Sequence, residues 1–162
     1  MSELPDRDDY YLALAFAAAR RANCRGRKVG AVLVKGDRVI ATGYNGTPEG
    51  LPNCLDGGCL RCDDRDAFES GTAYDLCICV HAEANALLTA ARYGASTDDT
   101  TVYTTDQPCF SCSKELIQAG VTKVVYARVW QPDDRVDDDY RRLQARLAAE
   151  HVPTEYEIVT FD

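Results

Sequence analysis

Hydrophobic residues recur at helical spacing in four stretches of the chain. The first stretch covers residues 9–23, where apolar positions follow an acidic first turn and end in a pair of arginines, the charge order that a helix dipole favours. Further helices are predicted over 80–93, closed by Gly94, over 111–119, closed by Gly120, and over 136–150. The pattern therefore predicts four helices.

Runs rich in β-branched residues lie between these helices. Residues 29–34 and 38–42 are two such runs, and the tight turn Lys35-Gly36-Asp37 that joins them predicts an antiparallel hairpin. Further strands are predicted over 100–105, 122–129 and 154–159. Because strands alternate with helices along the chain, the order predicts an α/β layered fold.

Residues 44–79 show neither the spacing of apolar residues typical of a helix nor the β-branched runs typical of a strand, and they are rich in Gly, Pro, Asp and Cys. A loop of this length inside a compact domain is usually functional or held by a cross-link. The chain has 162 residues, enough to bury a core without disulfides. We therefore expect a single domain over residues 1–162, with a Cys-rich loop at about 44–79.

The composition narrows the range of partners. Hydrophobic residues make up 46% and charged residues 27% of the chain, no apolar run approaches the roughly 20 residues of a membrane span, and the acidic start is unlike a secretory signal. We therefore expect a soluble cytoplasmic protein with no membrane partner. The net charge of -8 opposes binding to nucleic acids, including tRNA, and favours a small-molecule partner. In a reducing compartment, eight cysteines indicate metal binding rather than disulfides.

Two predicted helices begin with residues that suit a catalytic zinc site. His81 lies in the first turn of one helix, and Cys109 and Cys112 lie in the first turn of the next. Helix starts can face each other, and their positive ends favour the thiolates that a metal needs. Three ligands leave one tetrahedral position for water, whose pKa zinc lowers to about 7. Glu83 lies close enough to this water to move its proton without binding the metal.

The motif H-x-E followed by P-C-x-x-C resembles the signature of zinc-dependent nucleobase deaminases. The stretches CRGRKVGAVLV, GYNGTPEGLPNC, CVHAEANALLTAARYG and KELIQAGVTKVVY span most of residues 24–126 and resemble deoxycytidylate deaminases. The resemblance implies a three-layer α/β/α sandwich with a mixed β-sheet, of the cytidine deaminase type. It also implies hydrolysis of dCMP to dUMP and ammonia, in which zinc-bound hydroxide attacks C4 and Glu83 shuttles protons.

Candidate substrate contacts come from two sources. The resemblance implies that Asn45 hydrogen-bonds the sugar, that Ala82 belongs to the substrate site and that Arg92 lies near the phosphate or an effector. From the residues themselves, Arg27 and Lys28 belong to a compact basic cluster before a strand, and a monophosphate bound to an acidic protein needs local positive charge of this kind.

Two stretches depart from the pattern of deoxycytidylate deaminases. Where the family resembles T-L-x-P-C, this chain has TTDQPC at residues 104–109, and where relatives often have a tyrosine it has RVWQP at 128–132. Trp130, the single tryptophan, either stacks on a base or anchors helix packing. Both departures leave the zinc chemistry intact. They keep open the alternative that the substrate is an unphosphorylated cytosine nucleoside, base or related amino-heterocycle.

Six cysteines remain beyond the catalytic ligands, and their density in a polar loop indicates a second, structural zinc rather than scattered free thiols. The resemblance assigns ligand positions to Cys24, Cys54 and Cys79 and leaves the fourth ligand open. An alternative is that six thiolates hold two bridged metals. The candidates are Cys24, Cys54, Cys59, Cys62, Cys77 and Cys79.

The resemblance also implies a homo-oligomer, either a dimer or a hexamer. It further implies regulation by dCTP and dTTP, with Mg²⁺ accompanying the triphosphate. An alternative of another class is a thiol redox protein that uses Cys109 and Cys112. The two classes differ on Glu83, because a redox protein does not need this carboxyl group, whereas a deaminase does.

Overall fold

A mixed five-stranded sheet forms the centre of the computed structural model, which describes residues 4–69, 72–73 and 76–154. In chain order its strands are β1 (Gly30–Lys35), β2 (Arg38–Tyr44), β3 (Thr100–Asp106), β4 (Val121–Arg128) and β5 (Glu150–His151). They lie across the sheet in the order β2-β1-β3-β4-β5. Strand β1 is antiparallel to both neighbours, whereas β3, β4 and β5 run parallel. The predicted hairpin and the next two predicted strands are confirmed.

All four predicted helices are present, and the described part of the Cys-rich loop adds one α-helical turn and two 3₁₀ turns. The helices are α1 (Arg7–Ala19), α2 (Leu60–Asp63), α3 (Ala82–Arg92), α4 (Phe110–Gln118) and α5 (Asp137–Arg146). Two of the predictions overran at the C-terminal end. Helix α1 ends at Ala19 rather than at Asn23, whose backbone nitrogen instead donates to the carbonyl of Asn45. Within the described ranges, no helix is both long and apolar enough to cross a membrane.

The predicted helix over 136–150 is wrong at its end because the chain turns there. Helix α5 ends at Arg146, and Ala148 adopts a φ of 43°, a conformation that a helix does not contain. Glu150–His151 then pairs with β4 as the edge strand. The predicted strand over 154–159 lies outside the described residues, except for Thr154, which belongs to no strand.

Helices cover both faces of the sheet, as the predicted three-layer sandwich requires. On one face, α1 packs through Leu12 and Ala15 against Val32 and Val125 of the sheet. On the other face, α3 and α4 pack with Leu147, which follows α5, over a second group of apolar residues that includes Leu33 and Val124. The fold class predicted from the sequence is therefore confirmed.

The segment before α3 is tied to the loop that follows β2. Gly46 and Val80 form an isolated antiparallel bridge, with N···O distances of 3.2 and 2.8 Å between their backbones. Val80 directly precedes His81, which caps the N-terminus of α3. The bridge therefore fixes the start of α3 relative to residues 44–46.

Gly43 of β2 allows α3 to lie directly on the sheet. A Cβ at this position would overlap the carbonyl oxygen of Ala82 and the backbone nitrogen of Ala86. We expect Gly43→Ala to displace α3 and to lower the free energy of unfolding by about 1–3 kcal/mol, as measured by urea titration. Gly26→Ala is the matched control, because its Cβ would meet its nearest atoms at 3.5 Å. Equal stability of the two variants would contradict the close approach.

Candidate active site and thiol cluster

The starts of α3 and α4 bring three candidate metal ligands together. His81 caps α3, Cys109 caps α4, and Cys112 lies in the first turn of α4. The Nδ1 atom of His81 lies 3.5 Å from Sγ of Cys109 and 3.4 Å from Sγ of Cys112. In a tetrahedral zinc site, Zn–S and Zn–N bonds place nitrogen and sulfur about 3.5–3.6 Å apart. The three side chains therefore have the chemistry and the spacing of zinc ligands.

The charges of this triad already favour metal binding. Hydrogen bonds from the Cys112 thiol and from His81 lower the pKa of Cys109 to about 4, so Cys109 is a thiolate at neutral pH. The bond to Cys109 in turn raises the pKa of His81 to about 9. A zinc ion would take the place of the shared protons between these groups, because thiolates and neutral imidazole are the ligand forms it binds.

Glu83 lies beside the triad in the first turn of α3, and its side chain is buried, with 4% of the residue exposed. Burial raises the pKa of Glu83 to about 7. A carboxyl group with a pKa near neutrality can both accept and return a proton. Glu83 is therefore placed and tuned for proton transfer at this site.

A cavity of about 200 Å³ is lined by His81 and Cys109 of the triad and by Glu83. Among the predicted substrate contacts, those that line this cavity are Asn45, Ala82, Arg27 and Trp130. Lys28 and Arg92 do not line it. The structure therefore brings four of the six predicted substrate residues together around the candidate metal site.

The amide of Asn45 is engaged by the backbone of a neighbouring segment. Its Oδ1 accepts a hydrogen bond from the backbone nitrogen of Val29 at 2.9 Å, and its Nδ2 donates to the carbonyl of Arg27 at 2.8 Å. These bonds hold the segment that carries Arg27 against the cavity. Asn45 therefore lines the cavity and also fixes the position of the neighbouring backbone at Arg27 and Val29.

Asp106 also lines this cavity. The sequence does not predict Asp106 as a site residue and marks it only within the stretch TTDQPC, which departs from the family pattern. It is 6% exposed, and its carboxylate contacts Arg27 at 2.8 Å and Arg128 at 2.7 Å. The hydroxyl of Thr105 donates to the same carboxylate at 2.7 Å. Two guanidiniums around one buried carboxylate give this group of three side chains a net positive charge, and Arg27 and Asp106 of the group line the cavity. The arginine partners lie 79 and 22 positions away, so local sequence did not reveal them.

Trp130 lines the cavity and also packs against the helix layer. Its ring meets that of Tyr140 edge-on, with centroids 5.1 Å apart, and its backbone nitrogen donates to Oε1 of Gln107 at 3.3 Å. The Tyr140 hydroxyl donates to the carbonyl of Pro108 at 2.6 Å. Packing of Trp130 therefore supports the turn that leads into Cys109, and its other surface faces the cavity.

Arg92 lies near a second cavity, of about 400 Å³, because its partner Glu49 lines that cavity. Its guanidinium pairs with Glu49 at 2.5 Å, and both side chains are exposed. The end of β2 (residues 43–44) and residues 46–50 of the loop after it line this second cavity, together with Asn85 and Thr89 of α3. Arg92 therefore does not line the catalytic cavity, and its place near the phosphate or an effector stays a prediction.

The six remaining cysteines form one cluster, which we call the thiol cluster. All six are free thiols, and five of them are buried. They belong to the segment after α1, to the loop around α2 and to the segment just before α3. Three overlapping groups of three have their sulfurs within 4.8 Å of one another: Cys24, Cys54 and Cys79; Cys54, Cys59 and Cys62; Cys59, Cys77 and Cys79.

Residues 5–128 match the family model of the cytidine and deoxycytidylate deaminase zinc-binding region. The chain therefore belongs to the cytidine and deoxycytidylate deaminase family, as the resemblance predicted. Within it, the chain is 42% identical, over 95% of its length, to the deoxycytidylate deaminase of Schizosaccharomyces pombe. It is 43% identical, over 76% of its length, to the deoxycytidylate deaminase of Mycobacterium phage D29.

Solved structures agree with this assignment. The dCMP deaminase of the cyanophage S-TIM5, in complex with dCMP and dUMP, matches 94% of this chain and 100% of its own, with a TM-score of 0.69 and 32% identity. The chain spans 47% of the length of the fission-yeast protein and 96% of the phage D29 protein. These relatives do not favour the thiol redox alternative.

Proposed function

We propose that the chain hydrolyses dCMP to dUMP and ammonia, and that the domain described above carries this activity by itself. The observation that supports this most strongly is a buried Glu83 that lines the same cavity as His81 and Cys109, two of the three clustered metal ligands. The relatives named deoxycytidylate deaminase supply the substrate class.

In the proposed mechanism, His81, Cys109 and Cys112 hold the zinc of this family. Zinc bound there supplies a polarised water molecule with a lowered pKa. Glu83 accepts a proton from the attacking water and transfers it to N3 of the pyrimidine, and it then takes the second proton from the C4 hydroxyl and gives it to the departing amine. The nucleophile adds to C4, and the C4–N bond breaks as ammonia leaves. Burial of Glu83 excludes bulk water and keeps its carboxyl group near the pKa that this exchange requires.

The charge of the cavity wall supports a nucleotide rather than a nucleoside. Arg27 is 60% exposed along its side chain and stands at the cavity, with Asp106 holding its guanidinium from behind. Arg128 holds the other oxygen of the same carboxylate. Asp106 therefore orients Arg27, and Arg128 offsets the charge of Asp106, so Arg27 keeps positive charge for a phosphate.

Replacement of Arg27 distinguishes recognition of the phosphate from recognition of the base. We expect Arg27→Met to raise KM for dCMP about tenfold to hundredfold, because a charge-assisted hydrogen bond contributes about 1.5–3 kcal/mol. Its kcat for dCMP and its activity toward deoxycytidine should change little. Lys28→Met is the matched control, since this neighbouring cation does not line the cavity. Equal losses in the two variants would indicate a general charge effect instead.

The function itself is tested by ammonia release from the zinc-loaded chain offered dCMP, deoxycytidine, cytosine and amino-triazines in parallel, with dUMP identified by chromatography. We expect release from dCMP. Release from the unphosphorylated compounds alone would show that the cavity accepts a different substrate. If none of the compounds released ammonia, the proposed deaminase activity would be contradicted.

The proposal has further parts. We place structural zinc in the thiol cluster and place the protein in the cytoplasm, where its free thiols would persist. A triphosphate effector with Mg²⁺ would have room in the second cavity, whose wall includes Glu49, the partner of Arg92. The homo-oligomer, as a dimer or a hexamer, stays a prediction from the family.

A further inference from the structure

The thiol cluster has an inner and an outer set of sulfurs. Cys54, Cys59 and Cys79 each belong to two of the three groups of sulfurs that lie within 4.8 Å of one another. Each pair of these three shares a group, so the three sulfurs are also mutually within that distance. The inner thiols are therefore Cys54, Cys59 and Cys79. The outer thiols, one beside each edge of this triangle, are Cys24, Cys62 and Cys77.

A single tetrahedral ion does not account for this arrangement. Four thiolates around one zinc lie about 3.8 Å from each other, as Zn–S bonds of about 2.3 Å require. One ion would use four of the six thiols and leave two idle, although every one of the six sulfurs lies within 4.8 Å of two others. Sulfurs that belong to two neighbouring groups are instead placed to bridge two metals.

We propose that the thiol cluster binds two zinc ions that share thiolates. Each ion would take four sulfurs, and two of the inner thiols would belong to both ions, so that all six cysteines are used. This proposal goes beyond the structural zinc suggested above, because it fixes the number of ions and makes the inner thiols bridging ligands. It concerns metal content alone and does not depend on the identity of the substrate.

The charge around the cluster suits this metal content. Six thiolates carry six negative charges, and two divalent ions reduce the total to two, whereas one ion would leave four. Backbone N–H groups stabilise part of the remainder, since Arg25 donates to Sγ of Cys54 at 3.3 Å and Gly26 donates to Sγ of Cys24 at 3.4 Å. The guanidinium of Arg25 lies at the same site, where it contacts Asp63 at 3.0 Å and the carbonyl of Leu55 at 3.2 Å.

Two ions would also connect every segment that contributes a cysteine. Cys24 follows α1, Cys62 lies in α2, and Cys77 lies two positions before Cys79, at the approach to α3. Each of these segments borders the catalytic cavity. A bridged pair would cross-link all of them, whereas one ion with four ligands would leave two of the six cysteines outside the cross-link.

The test is a count of zinc in the full chain. Cys112→Ser removes a ligand of the catalytic ion, so the zinc that remains in this variant belongs to the thiol cluster. Metal analysis by mass spectrometry should then find two zinc ions per chain. One ion per chain, or none, would overturn the proposal. In this background, Cys62→Ser with Cys77→Ser should lower the count to one, because four cysteines then remain and four thiolates are the ligand set of a single zinc ion.

Cadmium NMR tests for the bridge itself. After replacement of zinc by ¹¹³Cd in Cys112→Ser, two thiolate-bound signals that are coupled to each other should appear, because a shared sulfur transmits the coupling. A single signal, or two uncoupled signals, would contradict bridging. Deamination of dCMP by the unmodified chain is measured separately, so failure of the metal count leaves the proposed reaction untouched.

Discussion

Glu83→Gln should leave the catalytic zinc bound and lower kcat for dCMP by about 10²–10⁴-fold, the range that general acid–base catalysis contributes. The amide has almost the same shape as the carboxyl group but cannot take up and return a proton. Because Glu83 is buried in the first turn of α3, no exposed group replaces it. Rates of dUMP formation and zinc content per chain are the measurements.

The matched control for Glu83 is Glu150→Gln. Glu150 is an exposed glutamate of β5 that pairs with Lys123 at 2.8 Å, so its loss should leave the rate and the zinc content unchanged. Full activity of Glu83→Gln would contradict the deaminase mechanism and would favour a redox role for Cys109 and Cys112. A loss of zinc in this variant would show instead that Glu83 supports the ligands.

Cys112→Ser should abolish turnover and lower the zinc content by one ion per chain. Cys112 is a buried ligand at the first turn of α4, and its Sγ lies 3.4 Å from Nδ1 of His81. A serine hydroxyl is a weaker ligand than a thiolate, and two ligands would remain where catalytic zinc needs three. The measurements are dCMP turnover and metal content of the same sample.

Ser111→Ala controls for damage to α4. Ser111 is the exposed neighbour of Cys112, and its hydroxyl contacts Glu115 on the helix surface at 3.4 Å. This variant should keep both the zinc and the activity. If Cys112→Ser kept its full metal content and its turnover, the triad would not be the catalytic zinc site.

Local sequence patterns predicted most elements because periodicity and turn residues report local structure. They failed at residues 136–150, where the end of α5 depends on the pairing of Glu150–His151 with β4, a contact that local periodicity does not encode. The triad was predictable because both helix starts carry its ligands. The pairing of Asp106 with Arg27 and Arg128 was not, because it joins residues far apart in the chain.

Helix geometry determines the direction in which Arg92 points, which the resemblance to deoxycytidylate deaminases did not give. Arg92 follows Glu83 by nine positions on α3. At 3.6 residues per turn, nine residues rotate the direction of the side chain by about 900°, which is half a turn beyond two full turns. Arg92 must therefore point away from the face that carries Glu83, as its pairing with Glu49 at the second cavity shows.

The shared wall of the catalytic cavity has a consequence for inhibition by chelators. Cys62, Cys77 and Cys79 border the same space as His81 and Cys109. Withdrawal of metal from either group would therefore disturb substrate binding or chemistry. A chelator that stops the reaction would not reveal which ion it removed, and the order of metal loss has to be followed separately from the loss of rate.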